Sequence, residues 1–339
     1  MSDFAADLII IGAGPAGLTA AQYGARANLK TLVVEQLSAG GQALLIDVLE
    51  NYPGNIEQLD EAGGIIRGPR TGFELSQDMR RQAESFGASF VSGAAVSLEK
   101  NEDNFRVTLA GGQVFEAQAV IIATGAAHRH LDIPGEKEFA GRGVSYCATC
   151  DGPFFRNKKI FVVGGGDAAC DEAQYLSRLT SQVILVHRRD RFRAQKALAE
   201  RVMRNQNIEV RFNTIIREIK GADNPAAAQK VSGVILERTT NDGGGTGETY
   251  EESADAVFIF AGTIPQSSLV SGGGTRAELD ETGSIITNQK MAASVPGLFV
   301  AGDVRAGAFR QVVVAAGEGA VAAHSAAEYI DELRNVAYH

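Results

Sequence analysis

The stretch 7-DLIIIGAGPAGLTAAQYGARANLKTLVVEQ-36 determines the fold class of this chain. Its apolar runs, Asp7 to Ile11 and Thr31 to Val34, predict two buried strands, and the residues between them have a helical pattern. The turn after the first strand carries G-x-G-x-x-G spacing, at Gly12, Gly14 and Gly17. Strand, glycine turn, helix and strand in this order predict a parallel β-α-β unit.

The glycine spacing matches what a dinucleotide requires. The first glycine permits a tight turn, the second lets the backbone approach a pyrophosphate, and the third lets helix and strand pack closely. Free N–H groups at the helix N-terminus bind the pyrophosphate. Glu35 ends the second strand, where an acid accepts hydrogen bonds from ribose hydroxyls. We therefore predict a site for FAD or NAD, in preference to a glycine-rich turn of another α/β fold.

A second copy of this unit lies at 158-KKIFVVGGGDAACDEAQYLSRLTSQVILVHRRD-190. Its small residues, Gly164, Gly166 and Ala169, have G-x-G-x-x-A spacing. Its second apolar run ends at His187, which follows Gly164 by 23 positions. Glu35 follows the first glycine of the first copy by the same spacing, so His187 takes the ribose position.

The ribose position of the second copy is basic. Arg188 and Arg189 follow His187 directly, and Arg193 comes soon after. A carboxylate would repel a 2′-phosphate, whereas arginine binds phosphate oxygens bidentately. We therefore predict that this copy binds NADP(H). A solvated helix face is the alternative, but it would not explain why the arginines begin at the ribose position.

Two of the three cysteines, Cys147 and Cys150, form a C-x-x-C in 145-SYCATCDG-152. A structural zinc site needs four ligands, and neither Cys170 nor the five histidines supply a second spaced pair. A chain of 339 residues buries a sizeable core without a disulfide staple. A redox couple is therefore favoured over a metal site or a structural disulfide. Cys170 is expected to be a small buried residue.

Composition limits the class of protein. The length of 339 residues allows two domains, and 45% hydrophobic and 22% charged residues are typical of a globular protein. A net charge of −9 argues against a nucleic-acid partner. No basic leader precedes the first apolar run, and no run approaches the ~18 apolar residues of a membrane span. We expect a cytoplasmic protein with no membrane partner.

Further motifs follow one another in a specific order along nearly the whole chain. This order resembles that of the low-molecular-weight, bacterial-type thioredoxin reductases. The motifs are GAGPAG at 12–17, GGQ at 40–42, ENYPG at 50–54, VIIATGA at 120–126, CATCD at 147–151, HRRDRFRA at 187–194, GLFVAGDV at 297–304 and RQVVVAAGEGA at 310–320.

The resemblance implies an α/β fold with two Rossmann-like, three-layer ββα domains. The FAD-binding domain is expected to be discontinuous, at 1–125 and 258–339. The NADPH-binding domain, at 126–257, is expected to be inserted between those segments and to carry the redox-active C-x-x-C. Gly and Pro residues near both junctions are typical of crossing segments. A homodimer is usual in the family and is expected here.

The resemblance also implies a reaction, the reduction of the disulfide of thioredoxin or a thioredoxin-like protein. Electrons would pass from NADPH to FAD, then to a Cys147–Cys150 disulfide, and then to the partner. The NADPH-binding domain would rotate between the half-reactions. Cys150 would be the flavin-proximal sulfur, Cys147 would attack the substrate disulfide, and Asp151 would act as acid and base.

The motifs and the resemblance together indicate the binding residues. Asp303 is expected to bind the ribityl chain, with Arg310 and Gln311 near the isoalloxazine. The FAD set is Gly12, Gly14, Pro15, Ala16, Gly17, Glu35, Gly41, Gln42, Asn51, Thr124, Gly125, Gly302, Asp303, Arg310 and Gln311. The NADPH set is Gly164, Gly166, Asp167, Ala169, His187, Arg188, Arg189 and Arg193. Partner docking is assigned to Arg142, Phe154 and Phe155, with core packing equally open for the two phenylalanines.

Other functions remain as alternatives. The flavoprotein component of an alkyl hydroperoxide reductase would carry a second C-x-x-C, and a ferredoxin–NADP reductase would lack the cysteine pair. A dithiol oxidase would commonly lack the arginines of the NADPH site. A non-enzymatic redox sensor needs less machinery than this chain carries. A reductase of a different redoxin or of a low-molecular-weight disulfide is a further alternative. The segment 55–70 is longer than usual in the family, and it either alters which redoxin docks or is a neutral surface loop.

Overall fold

The computed structural model describes residues 4–46, 49, 51–56, 58–60, 65–102, 104–221, 230–240, 244–272 and 274–334, with the backbone alone at residues 4, 58, 59, 65–67 and 150. The chain forms two compact units. The first comprises Met1–Ala127 and Ile264–His339, and the second comprises His128–Thr263. The second unit is therefore inserted into the sequence of the first.

Strands and helices alternate along the described chain. The strands are β1 Phe4–Ala5, β2 Leu8–Ile11, β3 Thr31–Glu35, β4 Gln58–Leu59, β5 Ile65–Arg67, β6 Ser89–Ser92, β7 Ala95–Lys100, β8 Phe105–Leu109, β9 Val114–Ala117, β10 Ala119–Ile122, β11 Ala126–His128, β12 Val144–Ser145, β13 Ile160–Gly164, β14 Val183–Val186, β15 Ile208–Arg211, β16 Thr214–Gly221, β17 Val231–Thr239, β18 Gly245–Ser253, β19 Ala256–Phe260, β20 Thr263–Pro265 and β21 Leu298–Val300. The helices are α1 Pro15–Arg26, α2 Gly72–Ser85, α3 Ala148–Asp151, α4 Asp167–Leu176, α5 Lys196–Arg204, α6 Ser268–Ser271 and α7 Val312–Leu333, with 3₁₀ turns at Gly41–Leu45 and Gly152–Phe155. None of the helices in the described residues is both long and apolar enough to cross a bilayer.

A parallel sheet forms the centre of the first unit. Within the described residues its five strands lie in the order β21-β10-β2-β3-β6. All four pairings are parallel. Because α1 joins the neighbouring strands β2 and β3, the β-α-β unit predicted from residues 7–36 is confirmed. A second sheet, β1-β9-β8-β7, is antiparallel except for the β1–β9 pair.

Each face of the parallel sheet has its own apolar core, because successive strand residues point to opposite faces. Ile10 and Val33 belong to the core shared with α1, α2 and α7. Ile9 and Val34 belong to the core shared with the four-stranded sheet. The first unit therefore has three layers: helices, parallel sheet and antiparallel sheet.

The second unit repeats this architecture. Within the described residues its parallel sheet has the order β12-β19-β13-β14-β15, and a three-stranded antiparallel sheet has the order β16-β17-β18. Val162 and Leu185 pack with α4 and α5. Phe161 and Ile184 pack with the antiparallel sheet. Two three-layer ββα units, one inserted into the other, confirm the predicted fold class.

The helices of the first unit begin at residues suited to that position. Pro15 opens α1, where the missing N–H costs no helical hydrogen bond. Thr71 caps α2 by accepting a hydrogen bond from Glu74 N at 3.1 Å, and Glu74 Oε2 accepts one from Thr71 N at 2.9 Å. This reciprocal capping box satisfies two backbone groups that a helix start leaves unpaired.

The ends of the segment 55–70 are held together by a buried amide. The side-chain nitrogen of Asn55 donates to the carbonyls of Leu49 at 2.8 Å and Arg70 at 2.9 Å. Its side-chain oxygen accepts from the Arg70 backbone N–H at 2.8 Å. Between these ends β4 pairs with β5, and residues 57 and 61–64 lie outside the described part of the chain. The role predicted for this segment stays a prediction.

Candidate functional site

The glycine turn of the first unit has two crowded positions and one open position. Gly12 has a φ of +104°, and a Cβ there would overlap the carbonyl oxygen of Ala123. A Cβ on Gly17 would overlap the carbonyl oxygen of Gly12. Around Gly14, in contrast, no other atom lies within 4 Å of where a Cβ would stand. The free space at the start of α1 is the kind of cradle that a pyrophosphate fills.

Three distant segments close around the N-terminus of α1. A Cβ on Gly41 would lie 3.2 Å from the Cα of Gly14. One on Gly302 would lie 3.1 Å from the Cβ of Ala16. In α7, a Cβ on Gly319 would overlap the carbonyl oxygen of Ala16. Small residues at these positions allow the predicted FAD segments to meet at one helix end.

Glu35 lies beside the same turn. Its Oε2 accepts a hydrogen bond from Ala13 N at 2.7 Å, and its Oε1 accepts one from Leu37 N at 2.9 Å. The carboxylate thus fixes the glycine turn to the end of β3. Each oxygen keeps acceptor capacity for a hydroxyl, since a carboxylate has about four lone-pair sites.

The side chains predicted to surround the flavin make contacts across long sequence separations. Asn51 Nδ2 donates to Gln311 Oε1 at 2.7 Å. The Gln42 side-chain amide donates to the carbonyl of Ala126. The structure therefore brings together residues from motifs that the sequence places far apart.

The turn after β10 is tied to the returning end of the first unit. Thr124 Oγ1 donates to the Gln266 carbonyl at 2.7 Å, and Gln266 N donates to the Gly125 carbonyl at 2.9 Å. This fixes the turn that carries both Thr124 and Gly125.

Asp303 follows Gly302, whose backbone N–H is hydrogen-bonded to a buried carboxylate. Glu318, on α7, accepts a hydrogen bond from Gly302 N at 2.8 Å and one from Arg305 Nε at 3.0 Å. Burial raises the pKa of the Asp303 carboxyl, the guanidinium of Arg310 opposes this rise, and the charge of Glu318 adds to it. Sequence reasoning did not single out Glu318 or Arg305, because a glutamate within a helix ordinarily indicates a solvated face.

The glycine turn of the second unit repeats the arrangement of the first. A Cβ on Gly164 would lie 2.5 Å from the carbonyl oxygen of Phe260 and 2.6 Å from the Cβ of Ala169. At Gly166, which precedes α4, a Cβ would meet no atom within 4 Å. This second cradle also has space for a pyrophosphate at a helix N-terminus.

His187 lies beneath this turn. Its side chain is only 6% exposed, its ring lies against Gly165, and it stacks on Phe192 with centroids 6.2 Å apart. Burial lowers the pKa of the His187 imidazole to about 4, with the charges of Arg193, Arg188 and Arg189 contributing to the decrease. Its Nε2 is buried and has no hydrogen-bond partner in the described residues.

The arginines after β14 are available for an anion. Arg188 and Arg193 are exposed, Arg189 is half-buried, and none of the three forms an ion pair with a described residue. Arg193 N donates to the Gly165 carbonyl at 2.7 Å, which folds this segment back over the glycine turn. Asp167 supports the fold-back, because its carboxylate accepts two hydrogen bonds from Gln195, each 2.8 Å long. The unpaired cations beside the cradle fit a 2′-phosphate.

Cys147 is disulfide-bonded and half-buried, whereas Cys170 is buried and free. Ser145 Oγ accepts a hydrogen bond from Cys147 N and donates to the Cys147 carbonyl, both at 3.1 Å. Thr149 Oγ1 lies 3.4 Å from the Cys147 sulfur. The side chain of Cys150 lies outside the described residues, and its backbone is part of α3. Asp151 ends α3, and its N–H donates to the Cys147 carbonyl at 3.2 Å.

The residues predicted to dock a partner have different environments. Phe154 is 80% exposed. Phe155 packs edge-on against Phe258 with centroids 6.0 Å apart, in the helix-side core. Arg142 is exposed, and its guanidinium donates to the carbonyl of Glu138. Across the described residues, no cluster of three or more His, Cys, Asp and Glu side chains could hold a metal ion.

Comparison with known proteins agrees with this arrangement. Residues 6–319 match the family model described as pyridine nucleotide-disulphide oxidoreductase. The chain is 51% identical to a thioredoxin reductase of Treponema pallidum over 329 residues, which are 97% of this chain and 98% of that protein. It is 43% identical to a thioredoxin reductase of Bacillus subtilis over 328 residues, 97% and 96% of the two chains.

A solved structure extends the similarity to three dimensions. The crystal structure of Lactococcus lactis thioredoxin reductase superposes with a TM-score of 0.86 at 40% identity, covering 96% of this chain and 99% of that one. The resemblance inferred from the motifs is confirmed. This chain therefore belongs to the pyridine nucleotide-disulphide oxidoreductase family, among its thioredoxin reductases.

Proposed function

We propose that this chain is an NADPH-dependent thioredoxin reductase. The observation that carries the proposal is the combination of two dinucleotide cradles with a disulfide-bonded Cys147 directly before α3. The ribose position beside one cradle is occupied by Glu35, at the end of β3. Beside the other cradle, Arg188 and Arg189 follow β14. A chain with two nucleotides of different ribose chemistry and a C-x-x-C disulfide is equipped to move electrons from NADPH to a disulfide.

FAD and NADPH are the cofactors of this family, and both fit the chain. We assign FAD to the discontinuous unit, because Gly14 faces open space and Glu35 suits an unphosphorylated ribose. We assign NADPH to the inserted unit, because Gly166 faces open space and unpaired arginines stand at the ribose position. When bound, the two cofactors supply a two-electron path from a nicotinamide to the cysteine disulfide. We propose these roles for the two compact units, 1–127 with 264–339 for FAD and 128–263 for NADPH. The limits expected from the sequence, 1–125 with 258–339 and 126–257, would divide β19, which belongs to the sheet of the inserted unit.

The cysteines perform the exchange with the substrate. In the reduced enzyme, the thiolate of Cys147 attacks one sulfur of the thioredoxin disulfide, and a mixed disulfide forms as the substrate S–S bond breaks. The thiolate of Cys150 then attacks Cys147, which closes the enzyme disulfide and releases the second substrate sulfur. Asp151 is proposed to protonate the leaving thiolate and to accept a proton in the opposite direction. Two electrons and two protons thus reach the substrate.

The partner surface is assigned to exposed residues of the inserted unit. Phe154 and Arg142 are proposed to contact thioredoxin, because exposed aromatic and arginine side chains make effective interface anchors. For Phe155, which packs against Phe258, the core-packing alternative is proposed. Rotation of the NADPH-binding unit between half-reactions is part of the proposal, and a cross-link between the two units should stop turnover. We also propose that the enzyme is a cytoplasmic homodimer. Its oligomeric state can be tested by light scattering.

An anaerobic flavin titration tests the function. NADPH, and separately NADH, is added to the FAD-loaded enzyme, and the loss of flavin absorbance is followed. Oxidised thioredoxin from the same organism is then added. Faster bleaching by NADPH, with recovery on adding thioredoxin and no recovery in Cys147→Ser, is the expected result. Bleaching without recovery in the wild type would show that another disulfide is the substrate.

A further inference from the structure

A fully buried carboxylate lies in the inserted unit, close in sequence to the cysteine pair. The side chain of Glu136 is 0% exposed. Its Oε1 accepts a hydrogen bond from Leu131 N at 3.1 Å, and its Oε2 accepts one from Asp132 N at 2.6 Å. Burial opposes its ionisation, but hydrogen bonds from Tyr146, the two backbone groups and His130 outweigh burial and lower the pKa of Glu136. The carboxylate is therefore an anion held by donors on several sides.

Tyr146 is the side chain that Glu136 holds most closely. Its hydroxyl donates to Glu136 Oε1 at 2.5 Å. His130 Nδ1 lies 2.7 Å from the same hydroxyl and 3.2 Å from Glu136 Oε1. Because the hydroxyl proton is directed to Glu136, Nδ1 of His130 must carry a proton and donate to both oxygens. Burial and the hydrogen bond to Glu136 raise the pKa of Tyr146, so it stays a donor.

The ring of Tyr146 is held as firmly as its hydroxyl. His128 stacks on it with centroids 6.0 Å apart and an interplanar angle of 22°. His130 meets it edge-on with centroids 5.0 Å apart. The ring also packs against the core between the parallel and antiparallel sheets. His128, His130 and Glu136 all belong to the stretch by which the chain enters the inserted unit.

The residue after Tyr146 is Cys147. On the other side of Tyr146, Ser145 belongs to β12, which pairs with β19 in the parallel sheet. Ser145 Oγ also brackets Cys147 by bonding to both its N–H and its carbonyl. The peptide that carries the Cys147 sulfur is therefore attached to the sheet through Ser145 and to the entry stretch through Tyr146.

We propose that Tyr146, anchored by Glu136 and His130, is a positioning residue that holds Cys147 in the geometry of its disulfide. This inference rests on the proposed function, which makes Cys147 the sulfur that exchanges with substrate. A disulfide forms readily when its two sulfurs are held near the bonded geometry, because positioning raises their effective concentration. Loosening the peptide of Cys147 lowers that concentration and makes the disulfide easier to reduce.

The test is the redox equilibrium of the disulfide in two matched tyrosine variants. Tyr146→Phe removes the hydroxyl and keeps the ring between the two histidines. Tyr250→Phe is the control, since Tyr250 lies on β18 of the same unit, is half-buried, and its hydroxyl has no hydrogen bond to any described residue. The FAD-loaded enzymes are equilibrated anaerobically with mixtures of reduced and oxidised dithiothreitol, quenched in acid, unfolded and labelled with a maleimide. Free Cys170 labels at every ratio, so mass spectrometry reads the change from one label to three.

The midpoint for Tyr146→Phe should move to a ratio of reduced to oxidised dithiothreitol about tenfold lower than that of the wild type. For a two-electron couple a tenfold change is about 30 mV. Tyr250→Phe should keep the wild-type midpoint. Glu136→Gln, which keeps the shape and removes the charge, should move the midpoint in the same direction as Tyr146→Phe.

A midpoint of Tyr146→Phe that coincides with the wild type would overturn the inference. An equal shift in Tyr250→Phe would also overturn it, because it would indicate general loosening of the unit. The titration contains neither NADPH nor thioredoxin. If the midpoint of Tyr146→Phe shifts but the wild-type enzyme does not reduce thioredoxin, the proposed function is therefore wrong and the positioning role of Tyr146 is still supported.

Discussion

The buried imidazole of His187 makes the stability of this enzyme depend on pH in a specific window. Burial and the neighbouring arginines lower its pKa from 6.5 to about 4 in the folded chain. Between these two values the unfolded chain binds more protons than the folded chain. The free energy of unfolding therefore falls as the pH drops from the His187 pKa of the unfolded chain towards that of the folded chain. Above the pKa of the unfolded chain, this contribution to stability is fully present.

The size of the effect follows from the two pKa values. At about pH 5, protonation of the unfolded state alone favours unfolding by about 2 kcal/mol relative to about pH 8. That corresponds to a decrease in Tm of about 3 to 7 °C, the larger figure applying if the inserted unit unfolds by itself. His187→Gln removes the titrating group from both states, so this part of the pH dependence should disappear.

Scanning calorimetry of the FAD-loaded, NADPH-free enzyme at the two pH values measures this difference. His324→Gln is the control for the loss of a histidine, because the side chain of His324 on α7 is exposed and lies outside the inserted unit. On acidification, the Tm of the wild type and the Tm of His324→Gln should decrease equally. The decrease in the Tm of His187→Gln should be smaller by about 3 to 7 °C. If His187→Gln loses as much as the wild type, the assignment of a depressed pKa to this buried ring is wrong.

Four further variants test the cofactor sites. The double variant Arg188→Ala, Arg189→Ala should reduce the preference for NADPH over NADH by about 100-fold in flavin-bleaching rates, since two charge-assisted contacts are lost. In Gly14→Ala the added methyl group meets no atom within 4 Å, so the variant should fold normally. Because the methyl group occupies the space proposed for the pyrophosphate, FAD binding should weaken about tenfold in a fluorescence titration. Gly17→Ala collides with the glycine turn itself and should lower stability by about 3 kcal/mol in denaturant unfolding. Glu318→Gln should lower stability by about 3 kcal/mol and speed FAD release, because it breaks a buried ion pair; unchanged release would contradict a role at the flavin.

The sequence predicts the glycine turns of the two β-α-β units well, because their geometry is local. Gly12 and Gly17 are crowded and Gly14 is open, as the spacing of a single turn requires. The same short-range logic places β3 and Glu35 after α1. Within a β-α-β unit, the residues expected to contact a pyrophosphate and a ribose are separated by one helix, so periodicity and spacing are enough to predict them.

Contacts set by tertiary packing leave a weaker trace. Glu318 accepts a hydrogen bond from Gly302 N, yet it lies on α7, a separate element. Its role therefore gives no periodic signal in the sequence. The available signal is the neighbouring Gly319, where a Cβ would overlap the carbonyl oxygen of Ala16, so that α7 packs closely against another backbone at this point. The sequence predicts His187 at the ribose from its position, but the burial of its ring under Gly165 depends on how the arginine segment folds back.

The environment of the cysteines shows the same division between local and tertiary information. The pair Cys147 and Cys150 is visible as a motif, and a redox role is favoured because the chain has only one other cysteine, Cys170. The Glu136–Tyr146 contact joins an irregular stretch to a residue between β12 and α3, and neither propensity nor spacing predicts such a pair. A buried carboxylate without partners would be costly, so Glu136 is stable there only because Tyr146 and its neighbours donate to it. If Tyr146 positions Cys147 as proposed, the side chain that satisfies this carboxylate also fixes the cysteine, and core stability and redox geometry depend on one hydrogen-bond network.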